Sequence, residues 1–132
     1  IFEKDVDIDQ LPKIWSKKYE EYLGVKPEKD SEGILQDIHW ACGNFGYFPS
    51  YALGTAIAAQ IYAHLKQVMP LDEHLKNGDF QPINDYLKDH IHRYGKTKTT
   101  NEILIDMMGE GFNPQYYIDY LKEKYGKLYK NL

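Results

Sequence analysis

Between Pro49 and Pro70 runs the segment that most constrains this chain. Ala52, Leu53, Ala56, Ile57, Ala58, Ala59, Ile61, Ala63 and Leu65 leave almost no polar face from Tyr51 to Met69. A helix apolar nearly all round is a buried helix, and its alanines let neighbouring helices approach closely. Proline suits the first helical turn, where its missing N–H costs nothing, and a second proline stops the run. The rest of the fold is expected to assemble around this helix.

The flanking segments repeat at three and four residues. Leu11, Ile14, Trp15, Tyr19, Tyr22 and Leu23 form one helical face, with Asp9 as its expected N-cap, Pro12 in its first turn and Gly24 closing it. Gly24 to about Ile38 reads as a long connection broken by Pro27, Asp30, Ser31 and Gly33, a length that in compact domains tends to be functional. A short helix near Leu71–Lys76 closes at Asn77-Gly78. Asp79 is the expected cap of the next, which carries Phe80, Ile83, Tyr86, Leu87 and Ile91 on one face and ends at Gly95. Thr99 or Thr100 caps a helix with Ile103, Leu104 and Met107, broken at Gly109-Glu110-Gly111. Asn113-Pro114 opens the last, with Tyr117, Tyr120, Leu121, Tyr125, Leu128 and Tyr129 expected on its buried side. No segment alternates with a period of two. The expectation is an all-α chain, an irregular bundle of five or six helices forming a single helical domain over residues 1–132, with a long functional loop before the central buried helix.

At 132 residues, 42% hydrophobic and 27% charged, the chain has an ordinary globular composition. A net charge of −4 argues against a nucleic-acid partner, whose phosphates call for a basic excess. Lys122, Lys124, Lys127 and Lys130 cluster at the end, where a helix C-terminus favours cations. The single cysteine, Cys42, excludes an internal disulfide and reads as a small buried thiol, although His39 nearby makes a nucleophile the alternative. No run of about 18 apolar residues is present, so no membrane partner is expected. The opening Ile1-Phe2-Glu3-Lys4-Asp5 is not a signal peptide, and a cytoplasmic location is expected. A first residue other than methionine suggests an excised piece of a longer chain, and a processed N-terminus would look the same.

The densest chemistry lies just before the central helix, in Gly33-Ile34-Leu35-Gln36-Asp37-Ile38-His39-Trp40, then Gly43, Gly46-Tyr47-Phe48-Pro49 and Tyr51. The pattern Gly-x-x-Gln-Asp-x-His-Trp followed by Gly-Tyr-Phe-Pro resembles the signature near the C-terminus of the carboxypeptidase Taq family, metal-dependent carboxypeptidases of the HExxH type. Leu53 and Gly54 extend the match, and Trp15, Tyr22-Leu23-Gly24, Ala59-Gln60, Gly78-Asp79-Phe80, the His92–Gly95 corner, Tyr120-Leu121 and Lys124-Tyr125 echo it more weakly. Ala41 and Thr55 depart from it, where the family often has serine and asparagine.

The larger departure is an absence. The five histidines, His39, His64, His74, His90 and His92, contain no His-Glu-x-x-His, and His90 and His92 are too closely spaced to share a helical face. The resemblance therefore implies the C-terminal part of a larger metalloprotease, a hydrolase that releases C-terminal amino acids from peptides. Zinc or cobalt would serve the complete enzyme, with none bound by this chain. The isolated chain is expected to be inactive. Its partners would be the missing N-terminal part of the same polypeptide, a peptide substrate and, by resemblance, a second copy in a homodimer.

In such hydrolysis negative charge develops on the attacked carbonyl oxygen, and donors aimed there stabilise the transition state. His39 is the first candidate. Asp37 shares its face if residues 36–40 are extended and does not if they are helical. Tyr51 and Tyr47, four apart across the start of the helix, are the next catalytic candidates, against the competing reading of core tyrosines bonded to backbone carbonyls. Gln36, Asp37 and Trp40 are candidate substrate-binding residues, Gln36 because an amide both donates and accepts, Trp40 with packing as its alternative role. Gly43 and Gly46 permit unusual backbone angles or close approach of a substrate strand. No metal ligand is assigned. The alternative to the enzyme fragment is a freestanding helical interaction module, without chemistry, that binds through its tyrosine-rich surface.

Overall fold

The structure is a computed structural model that describes residues 4–129. Those residues form six α-helices joined by short 3-10 turns, with no strand among them. The chain divides after Pro49 into two compact units. Lys130, the last of the clustered lysines, lies outside the described residues.

The first unit is built on α1, Leu11–Leu23, which carries Pro12 in its first turn and ends at Gly24. Asp9 does not cap it. Asp7 accepts the Asp9 amide at 3.0 Å and starts a 3-10 turn, Ile8–Gln10, that feeds into α1 with Gln10 at the cap position. The extra turn moves the capping carboxylate one position pair upstream. Beyond α1 the long connection is ordered by three further 3-10 turns, Asp30–Glu32, Ile34–Gln36 and Ile38–Cys42. Ile34 is buried, and Trp15 of α1 meets Trp40 edge to face, ring centroids 6.2 Å apart at 87°.

The second unit holds α2 (Pro49–Val68, from Ser50 onward), α3 (Leu71–Asn77), α4 (Gln81–His90), α5 (Thr100–Met108) and α6 (Gln115–Leu128). Leu65, Leu71 and Ile83 make one core cluster, against which Ile61, Met69, Tyr86 and Leu87 pack. Ile103, Leu104 and Met107 are the buried face of α5. Its start is settled in favour of Thr99, whose hydroxyl accepts the Glu102 amide while Glu102 accepts the Thr99 amide at 2.7 Å, a reciprocal capping box.

Three expectations need correction. The α2 helix is not buried all round: Ala56, Gln60 and Leu65 form one buried stripe, while Tyr51 and Leu53 are exposed. A sequence apolar on every face states what the helix tolerates, and the described residues cover only the stripe. No residue of α6 is buried; Tyr120, Tyr125, Leu128 and Tyr129 are open to solvent, the tyrosines stacking pairwise along the helix as Tyr117–Tyr120 and Tyr125–Tyr129. Helical period defines a face without supplying what covers it. Asp79 does not cap α4, because its carboxylate is turned back to the His74 ring at 3.0 Å and Phe80 takes the cap position.

Gln60 fastens α2 to the loop between α5 and α6. It is fully buried, its amide nitrogen donates to the Gly111 carbonyl at 2.9 Å, and its oxygen accepts the Asn113 amide at 2.9 Å. A side chain on Gly111 would place its Cβ 2.3 Å from Oδ1 of Asn101, which itself accepts the Phe112 amide at 3.0 Å. No helix among the described residues is long and apolar enough to cross a membrane.

On α2 and α4, the Tyr86 hydroxyl and Nε2 of His64 are hydrogen-bonded at 2.7 Å, and the Tyr86 ring stacks on His90 at 4.0 Å and 12°. Burial first, then the neighbouring His90, pushes His64 below its ordinary value. The unfolded chain then binds the proton more readily than the folded one, so stability is unaffected above the ordinary histidine range and falls as pH drops below it, from about pH 6.5 downward.

Two measurements follow from this packing. Gln60→Leu, which leaves the Gly111 carbonyl and Asn113 amide without their partner, should lower the unfolding free energy by about 2 kcal/mol or more in urea titrations. His64→Gln should flatten the loss of stability between neutral pH and pH 5 in the same assay; an unchanged slope would show that His64 does not carry it.

Candidate active site

The signature of the first unit folds as two consecutive 3-10 turns, and Asp37 sits between them. Its backbone angles, φ −83° and ψ 80°, are those of neither a strand nor a helix. The question of whether residues 36–40 are extended or helical thus resolves as a cap. Asp37 ends one turn and caps the next, so Oδ1 reaches the His39 backbone amide at 3.3 Å and Nδ1 of the His39 ring at 2.8 Å. The Asp37 side chain is 5% exposed and that of His39 19%. A carboxylate oxygen can only accept, so a hydrogen bond at this distance requires the imidazole nitrogen to donate. Nδ1 of His39 therefore carries its hydrogen toward Asp37.

Two rings from the Gly-Tyr-Phe-Pro stretch pack against His39, Tyr47 at 5.0 Å and Phe48 at 5.3 Å between centroids. Phe48 had no role in the sequence reading, although the fixed Gly-Tyr-Phe-Pro after the histidine was the signal that could have assigned it one. The turn back to His39 depends on backbone geometry: Gly43 closes the 3-10 turn at φ +74° and Gly46 repeats that angle, with no atom within 4 Å of where either Cβ would lie. Their backbone angles alone call for glycine at both positions.

The candidate contacts sort unevenly. His39 and Tyr47 come together, and Tyr47 is exposed in the turn two residues ahead of α2. Tyr51 sits in the first turn of α2, 57% exposed, and its backbone carbonyl accepts the Thr55 hydroxyl at 2.9 Å. Asp37 is buried against His39. Gln36 donates from its amide to the Ser31 carbonyl, bridging two turns of the connection. Trp40 is wedged between Trp15 and Phe45, the latter 5.2 Å away. Trp15, Trp40, Phe45 and Phe48 border an open hollow of about 540 Å³, with Asp37 in its wall. Cys42 is exposed, against the expectation of a buried thiol, because it ends the 3-10 turn at the surface.

Residues 1–125 match the family model of the carboxypeptidase Taq (M32) metallopeptidases. The chain belongs to that family. It is 48% identical over 130 residues to carboxypeptidase 1 of Bacillus subtilis, covering 98% of this chain and 26% of that protein. To thermostable carboxypeptidase 1 of Pyrococcus furiosus it is 42% identical over 123 residues, 92% of this chain and 25% of the relative. A solved Pyrococcus furiosus carboxypeptidase structure superimposes with a TM-score of 0.86 at 41% identity, over 92% of this chain and 25% of that one. The chain thus spans about a quarter of the length of the curated relatives it matches.

Membership of the carboxypeptidase Taq family implies a metal. Among the described residues no group of three or more His, Cys, Asp or Glu side chains that could hold a metal ion comes together. His74 and His39 each face one carboxylate, and His64 and His90 share a tyrosine.

Proposed function

We propose that this chain is the C-terminal part of a metal-dependent carboxypeptidase that releases C-terminal amino acids from peptides, and that it lines the substrate groove with transition-state residues while the metal is held elsewhere in the polypeptide. One observation carries the reading: near-complete coverage of this chain by carboxypeptidases at 42–48% identity, over only a quarter of their length. The absence of His-Glu-x-x-His from the sequence supports the division of labour. A cytoplasmic, homodimeric enzyme using zinc or cobalt is the form proposed for the whole.

His39 and Tyr51 are the proposed catalytic residues, with Tyr47 in a lesser role beside the histidine. A phenol can donate to the oxygen that gains charge as the peptide carbonyl is attacked. His39 has one nitrogen committed to Asp37, so any contact with substrate falls to Nε2, which donates only when the ring holds both protons. Gln36 and Trp40 support the reading from behind: they hold the connection and the wall of the hollow in place. The exposed tyrosines of α6 would suit a freestanding interaction module, but membership of a peptidase family weighs against that reading.

Tyr51→Phe in the complete enzyme should lower kcat by about 10²-fold with little change in KM, since a donor that engages only the developing oxyanion is lost without disturbing ground-state binding. Full metal content and unchanged kcat in that variant would remove Tyr51 from the site. The 132-residue chain alone should hydrolyse no peptide and show no stoichiometric zinc binding by calorimetry. Either activity would overturn the proposed division.

A further inference from the structure

Resting on that reading, we infer that Asp37 is the positioning residue of the site, acting through His39 rather than on the peptide. Its carboxylate is buried, and one oxygen, Oδ1, serves both the backbone amide and the ring nitrogen of His39. A side chain placed this way has little surface left to offer a substrate. It sets three properties of His39 instead. The bond to Nδ1 fixes which nitrogen carries the hydrogen, and so presents Nε2 to the reaction whatever the charge of the ring. The bond to the amide fixes the backbone from which the ring projects. Together they set the ring's direction, and Phe48 and Tyr47 pack against the ring to limit its rotation. Within the first unit Asp37 is a carboxylate bonded to the His39 ring, and Tyr47 and Phe48 are rings packed against it.

The same geometry separates Asp37 from the two other polar or aromatic residues of the motif. Gln36 bonds to a backbone carbonyl five residues earlier, and Trp40 packs on Trp15 and Phe45. Asp37 bonds both the amide and the ring of His39, so its loss should be felt through His39 and the two residues should behave as a unit.

A double-mutant cycle in the complete, metal-loaded enzyme tests this. Asp37→Ala is expected to lower kcat by about 10²-fold, the scale of a misplaced catalytic group, with KM little changed. Introduced into a His39→Ala background, the same substitution should lower kcat by less than about twofold, because the partner it orients is gone. Nitrogen NMR of labelled histidine should show His39 protonated at Nδ1 in the wild type and a mixture of tautomers in Asp37→Ala. If Asp37→Ala does not fold, Asp37→Asn enters the same cycle: its amide oxygen can still serve the His39 backbone, while the negative charge that favours a hydrogen on Nδ1 is lost and a flipped amide would turn a donor to the ring. An equal kcat loss in both backgrounds, or an unaltered His39 tautomer, would overturn the positioning role while leaving the carboxypeptidase reading intact. Wild-type kcat in His39→Ala would overturn the reading of the site itself.

Discussion

The second unit hangs on a buried amide. Helix α2 offers apolar surface on every side, yet what fixes its place among the described residues is Gln60, a polar side chain with no exposure. A primary amide both donates and accepts, so it can answer a carbonyl and an N–H of the same loop at once, as it does at Gly111 and Asn113. Apolar burial alone would let α2 rotate or slide along its axis; two directional bonds do not. Close contact between Gly111 and Asn101 then carries the register onward to the start of α5, and the side chain of Asn113 accepts the Gln115 amide to begin α6. Three helices thus take their relative positions from one loop, and that loop from one glutamine.

Much of this was readable from the residues, for reasons that differ by element. Helix interiors and their ends at Gly24, Gly78 and Gly109 follow from local preference, and all three stand where expected. Caps were less legible. Thr99 could be narrowed to one of two residues, and Asp9 and Asp79 were assigned to ends that they do not serve, because an aspartate near a helix start has several nearby amides and rings to choose from. Burial was the least legible property. The tyrosine face of α6 and the full circumference of α2 have the right period for cores that the described residues do not supply.

In the candidate site the sequence pointed to a segment, while the contacts and exposure of its members were not legible in it. Polar residues clustered around a histidine suggest contacts, and Gln36, Asp37 and Trp40 were grouped on that basis. Folded, one ties a turn, one grips the ring and one packs on α1. The two backbone alternatives for residues 36–40 both missed the outcome, since period distinguishes strand from helix and neither describes a residue that ends one turn while capping another.

Because a single oxygen of Asp37 holds both the main chain and the ring of His39, conformational freedom of the imidazole is tied to that of the turn. The ring cannot swing away without taking a donor from a buried carboxylate, and the turn cannot loosen without shifting the oxygen that holds the ring. Ordering a side chain usually costs entropy of order 1 kcal/mol at the moment of binding. Here the restriction is imposed once, when the turn forms, and every later encounter meets an imidazole whose direction is already set.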